Sequence, residues 1–578
     1  MKRRSFIKQV GLAAAGTAGA ATMPNLLQAS PVAKRPRKPN ILVVIVDQLR
    51  YPQGSFNQQL LDTAAPNLAA LRQQSVSFDA HYAAATACSP SRSTMLTGLY
   101  THQNGMFLTN AQGLAGQAPT PSMNPGFPTW GSILSNAQFG YQTYWWGKWH
   151  LSSDDQSTCG YIEKYGFQGG LPLPSPNGGP GQGLGVDPQT TQLFKNWLDS
   201  SAALGPWCTT VSLVNPHDIA WFPKYSMTTP GENDPPPIPQ FHTGLPANFE
   251  AWPEALFNEG KPTLQQAWVT LADSVFGFVP EHPGEPGYPD LWFQLLDLYY
   301  QVTQYVDIQI GAVLSALAAS TVADNTIVVF TSDHGEYGGA HGLRGKAFAL
   351  YEESIRVPLY VKDPTGTFVP SSQVGTSRSG LTSHVDFAPL LMTLASGGND
   401  WRKRPAYAQL AGRADLAAML SNPNAPGRQY ILHTSDEDIP EEAPKVGIPY
   451  KDALISKILP PPPAPQVPPP THAIGYRTQA AKLGVYSYFI PGSINIQHSG
   501  QQSELYDYTN PNGIQEVTNN APSGSAPEPA LYHQLYDALF NPNEGAIATE
   551  LRQPLPPFLR LAQREAMAEY LAYEASLG

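Results

Sequence analysis

Three stretches of the chain are mostly apolar and β-branched and then turn polar. Asn40 to Val46 is closed by Asp47, Thr209 to Val214 by Asn215-Pro216-His217, and Thr326 to Phe330 runs on to Asp333-His334. Mostly apolar runs of this length mark strands buried on both faces, as in a parallel sheet. Between them Leu295, Leu296, Tyr299, Val302, Val306, Ile310 and Val313 recur at helical spacing, which predicts a helix over Leu291 to Leu317. Strands alternating with helices predict an α/β fold, a large mostly parallel sheet flanked by helices. In such sheets ligands bind outside the carboxyl ends of the strands. All three runs turn polar at that end, so one shared site is expected around Asp47, His217, Asp333 and His334.

Beyond about Asp400 the alternation weakens. Tyr430 to Leu432, Ala473 to Arg477 and Leu483 to Phe489 read as short antiparallel strands, and Pro557 to Leu577 as a closing helix. The expected organisation is a catalytic domain over residues 38–400 and a smaller C-terminal α+β domain over 401–578. Two proline-rich insertions, Pro230 to Pro239 and Pro460 to Pro470, suit neither a central strand nor a helix interior and read as rim loops or covers, ahead of a site for a proline-binding partner. No repeat of fixed period is present.

Composition narrows the partners. Charged residues are 14% of the 578, against about 25% in an average soluble protein. With 58 prolines, this points to ordered loops around a compact core rather than a charged coil. The net charge of -11 argues against nucleic acid and requires any anion site to be locally basic. Residues 1–30 read as a twin-arginine export signal: Lys2-Arg3-Arg4-Ser5-Phe6-Ile7-Lys8, an Ala/Gly-rich stretch to Met23, then Leu27-Gln28-Ala29. The expected location of the mature protein is therefore the periplasm. The apolar part is short and glycine-interrupted, so no stable membrane anchor is expected, and no later segment reads as a bilayer span. An oxidising compartment would allow Cys159 and Cys208 to pair, and two separate thiols are equally open.

The candidate chemistry starts at Cys88-Ser89-Pro90-Ser91-Arg92-Ser93-Thr94-Met95-Leu96-Thr97-Gly98. Pro90 and the run after it suit the start of a helix. Cys88 would then occupy a helix N-terminus, where partial positive charge favours an anion, with Arg92 one turn on along the same face. Asp47, Gln48, Asp333 and His334, at two strand ends, offer hard donors and one softer nitrogen to a divalent cation. In Gly147-Lys148-Trp149-His150-Leu151, Lys148 and His150 would share one face of an extended segment. His217 and the Lys346 of Gly342-Leu343-Arg344-Gly345-Lys346 complete the set.

Together these motifs resemble, in order, those of the type I sulfatases of the alkaline phosphatase superfamily. The resemblance runs from about Pro39 to about Asn510. Tyr299-Tyr300 with Val306-Asp307 and Ile310-Gly311, the run Ser383 to Leu391, and Glu504-Leu505-Tyr506-Asp507 extend it. It implies that Cys88 is oxidised to formylglycine (3-oxoalanine) by a formylglycine-generating enzyme, and that the aldehyde hydrate attacks sulfate. It further implies a divalent metal at Asp47, Gln48, Cys88, Asp333 and His334. Calcium is expected first because the rest of the chain is sulfatase-like, and manganese second because Gln48 replaces a commoner Asp and His334 is a softer ligand. Arg92 would favour the deprotonated nucleophile, Lys148 bind sulfate, and His150 take the hydrate's second proton. His217 would protonate the leaving alcohol or bind sulfate, and Lys346 would contact sulfate near the leaving group, where either could assist the departing alcohol. The implied activity is arylsulfatase-like hydrolysis of a small-molecule or saccharide sulfate ester. Asp47-Gln48 with Asp333-His334 also resembles the choline-sulfatase and phosphonate-monoesterase branch, which keeps a phosphonate monoesterase or phosphodiesterase as the alternative. A non-catalytic sulfatase-like binding protein predicts missing site residues, and none of the main ones is missing. Specificity is expected in Leu171 to Gly185, Met227 to Pro289 and the Pro460 region, with Trp221, Phe241 and Trp252 as pocket candidates.

Overall fold

The computed structural model describes residues 38–111, 119–152, 159–170, 177–201, 205–223, 241–242, 244–437, 469–522 and 529–576. The export signal, the Pro230 to Pro239 insertion and most of Pro460 to Pro470 lie outside these residues. Ten strands come from the first part of the chain: β1 (Asn40–Asp47), β2 (Val76–Phe78), β3 (His81–Tyr82), β4 (Gln142–Gly147), β5 (Gln168–Gly170), β6 (Trp207–Pro216), β7 (Thr326–Ser332), β8 (Leu359–Lys362), β9 (Ser377–Arg378) and β10 (Thr382–Ser383). Eight form one sheet in the order β5-β4-β6-β1-β7-β8-β2-β9, while β3 and β10 pair separately. The run from β5 to β7 is parallel. Strand β8 is antiparallel to both β7 and β2.

Strand β1 shows why the sheet is buried on both sides. Ile41, Val43 and Ile45 enter one core, with Met95, Leu96, Trp130 and Phe387. Leu42, Val44 and Val46 enter the other, with Phe194, Leu213, Leu295, Tyr299 and Val302. Each such side chain contributes about 1.5–3 kcal/mol by leaving water. A one-residue slip of β1 would exchange its two sets of side chains between the two cores.

The helix Asp290–Ala319 corrects one expectation. Among the described residues it is long and apolar enough, by length and composition, to cross a membrane, a character not expected past the N-terminus. Its buried side, through Leu295, Tyr299, Val302, Val306 and Ile310, belongs to the core beneath the sheet, which is what its apolarity serves here.

The C-terminal part carries an antiparallel sheet of β11 (Ile431–Ser435), β12 (His472–Arg477), β13 (Ala481–Phe489) and β14 (Ile496–Asp507), in that order. Strand β14 was not legible as a strand, because its exposed middle, from His498 to Gly500, is polar. The closing helix spans Arg560–Ser576. Strand β11 reaches back to the catalytic part. Thr434 N–H donates to the Ala84 carbonyl (3.0 Å), and Thr86 N–H donates to the Thr434 carbonyl (3.2 Å). His433 Nδ1 lies 2.6 Å from the Ala83 carbonyl.

Register sets the functional end of the large sheet. Gly147 is level with Ser212, Asp47 with Pro216, and Val46 with Ser332. Lys148, Asp47, His217 and Asp333 therefore leave the sheet along one edge.

Candidate active site

Cys88 is the first residue of the helix Cys88–Thr97 and is fully buried. Ala87 before it holds φ 74° and ψ 151°, a conformation that costs a residue with a Cβ about 1–3 kcal/mol. Gln48, His150, Ala347 and Phe348, each on a segment that follows a site residue or flanks Lys346, also have positive φ. The sheet edge and helix dictate these turns against local preference, as is common where side chains must be aimed.

Four groups surround the Cys88 sulfur. Lys346 Nζ is 3.1 Å away, His334 Nε2 3.3 Å, Asp47 Oδ1 3.6 Å and Lys148 Nζ 3.6 Å. If Cys88 is converted to formylglycine, the sulfur stands in for the oxygens of the aldehyde hydrate. Arg92 lies one turn on, as expected, but its nitrogens serve the carboxylates. Nε donates to Asp333 Oδ2 (2.9 Å), Nη2 to Asp47 Oδ2 (3.0 Å), and Nη1 to the Lys148 carbonyl (3.0 Å) and Ser212 Oγ (2.9 Å). Lys148 Nζ also pairs with Asp47 Oδ2 at 2.9 Å.

Burial would raise Asp47, but the charges around it, Lys148 first, outweigh it and hold its carboxyl well below the usual range. Burial, then the neighbouring Asp47 charge, push Asp333 up to about 7 despite Arg92. Burial and then Lys346 hold His334 well below an ordinary histidine, so it is neutral. Its Nδ1 lies 3.0 Å from the Gly335 carbonyl, which only accepts, so Nδ1 carries the hydrogen and Nε2 offers its lone pair. Donor atoms of Asp47, Cys88, Asp333 and His334 all lie within 4.8 Å of one another. Two carboxylates and a neutral imidazole so arranged fit a divalent cation, which would relieve the repulsion that raises Asp333.

His150 and His217 flank this centre. The Ser89 hydroxyl donates to the His150 carbonyl, and His150 Nε2 is 2.9 Å from the Asn110 carbonyl. Nε2 therefore carries the hydrogen and Nδ1 is the proton-accepting nitrogen. The extended segment expected at Lys148 to His150 is instead turned, with His150 at φ 57°. His217 opens a 3-10 turn after β6. The backbone at Gly178 lies over His217 and Lys148: a Cβ there would fall 2.6 Å from His217 Cε1 and 2.8 Å from Lys148 Nζ.

Beside His217 and Lys346 a pocket of about 600 Å³, counted out to its mouth, opens along Trp221, Trp268, Phe276 and Phe348. Of the aromatic residues expected to line it, Trp221 does. Phe241 packs on Tyr300 at 4.2 Å, and Trp252 is buried with its Nε1 donating to the His341 carbonyl. Gly178 falls in Leu171 to Gly185 and Trp268 and Phe276 in Met227 to Pro289, the segments expected to set specificity, though the sequence singles out none of the three; Phe348 and Glu336, which lies behind Gln48, were not expected. A second buried acidic group, His341, Glu353 and Glu516, is neutralised locally by Arg50 and Lys482. Cys208 is a buried free thiol in β6.

The site and its fold define a hydrolase of the sulfatase class. The Sulfatase family model matches residues 39–398, more than half of the chain, and the chain belongs to that family. Among curated proteins it is similar to the uncharacterized sulfatase YidJ of Escherichia coli K12, 28% identical over 384 residues, covering 62% of this chain and 68% of that one. Among solved structures it shares its fold with BT1596, a 2-O GAG sulfatase (TM-score 0.57, 18% identity, 86% of this chain and 90% of that one). It likewise shares it with the phosphonate monoester hydrolase of Agrobacterium radiobacter (TM-score 0.53, 20% identity, 86% and 93%).

Proposed function

We propose that this chain hydrolyses sulfate monoesters of apolar, aromatic alcohols, using a formylglycine made from Cys88 and a divalent cation held by Asp47, Gln48, Asp333 and His334. The observation that carries this reading is the position of Cys88. It sits between two lysine ammoniums and a set of metal-type donors, beside a pocket walled by Trp221, Trp268, Phe276 and Phe348. Thr109, His217, Arg344, Lys346 and Glu437 also line this pocket, but most of its exposed lining is apolar, which suits an aryl group better than a sugar.

The aldehyde supplies a hydrate, one oxygen of which is the nucleophile and the other the group that later expels sulfate. A bound cation lowers the pKa of a coordinated hydroxyl and neutralises sulfate charge. Calcium is the first choice; the His334 nitrogen favours manganese as the second. The rest falls to the chain's own residues. Arg92 braces Asp47 and Asp333, so both carboxylates keep one orientation. Lys148 and Lys346 hold the sulfate oxygens, a fixed positive field inside a chain of net negative charge. His217, at the pocket side, protonates the departing alcohol, and His150 Nδ1 accepts the hydrate proton. Maturation requires a formylglycine-generating enzyme, and Lys2 to Ala29 supports twin-arginine export to the periplasm.

The test joins a mass spectrum of the Cys88 peptide to turnover of 2-naphthyl sulfate, glucosamine 6-sulfate and phenyl phenylphosphonate. An aldehyde mass and preference for the naphthyl ester are expected. An unmodified thiol in fully active protein would end the formylglycine reading. Dominant phosphonate turnover would move the chain to the alternative suggested by Asp47-Gln48 and Asp333-His334.

A further inference from the structure

Gln48 stands where a second carboxylate would strengthen the cation site, and its surroundings explain the amide. Its backbone is fixed on both sides: Gln48 N–H donates to Asp333 Oδ1 (3.1 Å), and its carbonyl accepts from the Tyr299 hydroxyl (2.8 Å). Its side chain is fixed by two independent partners. Lys346 Nζ, which can only donate, lies 3.1 Å from Oε1. Glu336 Oε2 lies 2.5 Å from Nε2. The other oxygen of Glu336 accepts N–H groups from Gly338 (3.0 Å) and Gly345 (2.7 Å). Glu336 is fully buried.

These contacts allow one arrangement. Lys346 can only donate, so the amide oxygen faces its ammonium, which also lies 3.1 Å from the Cys88 sulfur, and the amide nitrogen faces the Glu336 oxygen. A carboxylate at position 48 would bring two unprotonated oxygens together at that 2.5 Å contact. We propose that Glu336 is the positioning residue of the cation site: it aims the Gln48 oxygen at the centre and supplies, from behind the amide, the negative charge that position 48 lacks. Glu336 also closes the turn that carries Lys346, through Gly345, so one buried carboxylate sets both the cation-facing oxygen and a sulfate-holding lysine. This inference rests on the cation reading above.

The pair can be inverted. In a Gln48→Glu/Glu336→Gln double variant the amide at position 336 keeps its oxygen on the two glycine N–H groups. Its nitrogen then donates to the carboxylate at position 48. The measurement is the affinity of the full mature chain for Ca²⁺ and for Mn²⁺, each alone, by competition with a chromophoric chelator, with thermal midpoints of the metal-stripped proteins beside it. Glu336→Gln should weaken binding about 10–100-fold, since its amide either opposes the Gln48 nitrogen or forces that side chain to turn its nitrogen inward. Gln48→Glu alone should lower the metal-free midpoint. The double variant should recover both the midpoint and at least wild-type affinity, a rescue that a merely structural glutamate would not give. Binding by Glu336→Gln within twofold of wild type, or a double variant no tighter than Glu336→Gln, would overturn the inference and leave the cation reading standing. A wild-type chain that binds neither ion would overturn both.

Discussion

Replacing Gly178 by alanine separates positioning from folding. A Cβ at Gly178 would lie 2.6 Å from His217 Cε1, 2.9 Å from His217 Nδ1 and 2.8 Å from Lys148 Nζ. Ordinary contact begins near 3.4 Å, so the ring and the ammonium must together give way by most of an ångström. The backbone is a poor alternative, because Trp221 Nε1 holds the Gly178 carbonyl at 2.8 Å and Gln182 Oε1 accepts the N–H groups of Gly178 and Gly179. The residue also sits at φ +95°, which adds about 1–3 kcal/mol of local strain for alanine. A misplacement of about 1 Å at a reacting centre costs about 100-fold in rate, or about 2.7 kcal/mol. Gly178→Ala should therefore lose about 100-fold in kcat/KM on an aryl sulfate, with metal content unchanged. Gly181→Ala is the control: it shares the left-handed backbone, at φ +68°, but meets nothing within 4 Å. It should stay within about threefold, the scale of a modest backbone effect rather than a displaced reacting group. A Gly178→Ala enzyme as active as the Gly181→Ala one would refute the claim that His217 and Lys148 are set by that turn.

Arg92→Met should destabilise the metal-stripped protein by about 3–5 kcal/mol in a denaturant titration, because two buried carboxylates lose their shared partner. An added divalent cation should return part of that loss. Burial holds His433 down to about 4, below the roughly 6.5 of an unfolded chain, so the folded protein binds fewer protons between those values. Its contribution is present above pH 6.5 and is lost as pH falls toward 4, by up to about 1.4 kcal/mol per unit; His433→Asn should flatten that stretch of the stability curve. Trp268→Leu, in the pocket wall, should raise KM for 2-naphthyl sulfate about tenfold while changing kcat little, and equal KM values would argue against an aryl site there.

The strand ends of β1, β6 and β7 were legible because a parallel strand buried on both faces must be a mostly apolar run, and its polar stop marks the site edge. Cys88, Lys148, His334 and Lys346 do converge, since each lies on such a stop or on a turn beside it. Glu336 was not legible. It acts through the Gln48 amide and two backbone N–H groups, and no spacing in the chain reports that contact. The pocket walls were hidden for another reason. Trp268 and Phe276 lie on one helix, Thr263–Phe276, and Phe348 on a distant turn, and nothing in the sequence distinguishes them from Trp252, which fills a local core. Arg92 was placed on the correct helix face, but only the positions of Asp47 and Asp333 show where its nitrogens go.

The link between β11 and the segment before Cys88 sets a clock on maturation. His433 and Ala83, which meet in the folded protein, are 350 residues apart in the chain. At roughly 5–20 residues per second of synthesis, the later partner emerges about 20–70 s after the earlier one. Lys346 and His334, which cover the Cys88 sulfur, also arrive late, 258 and 246 residues after it. The turn bearing Cys88 cannot be enclosed before then. If Cys88 is oxidised before folding, the enzyme that does it has about 20–70 s of open access during translation before the C-terminal sheet can close over that segment.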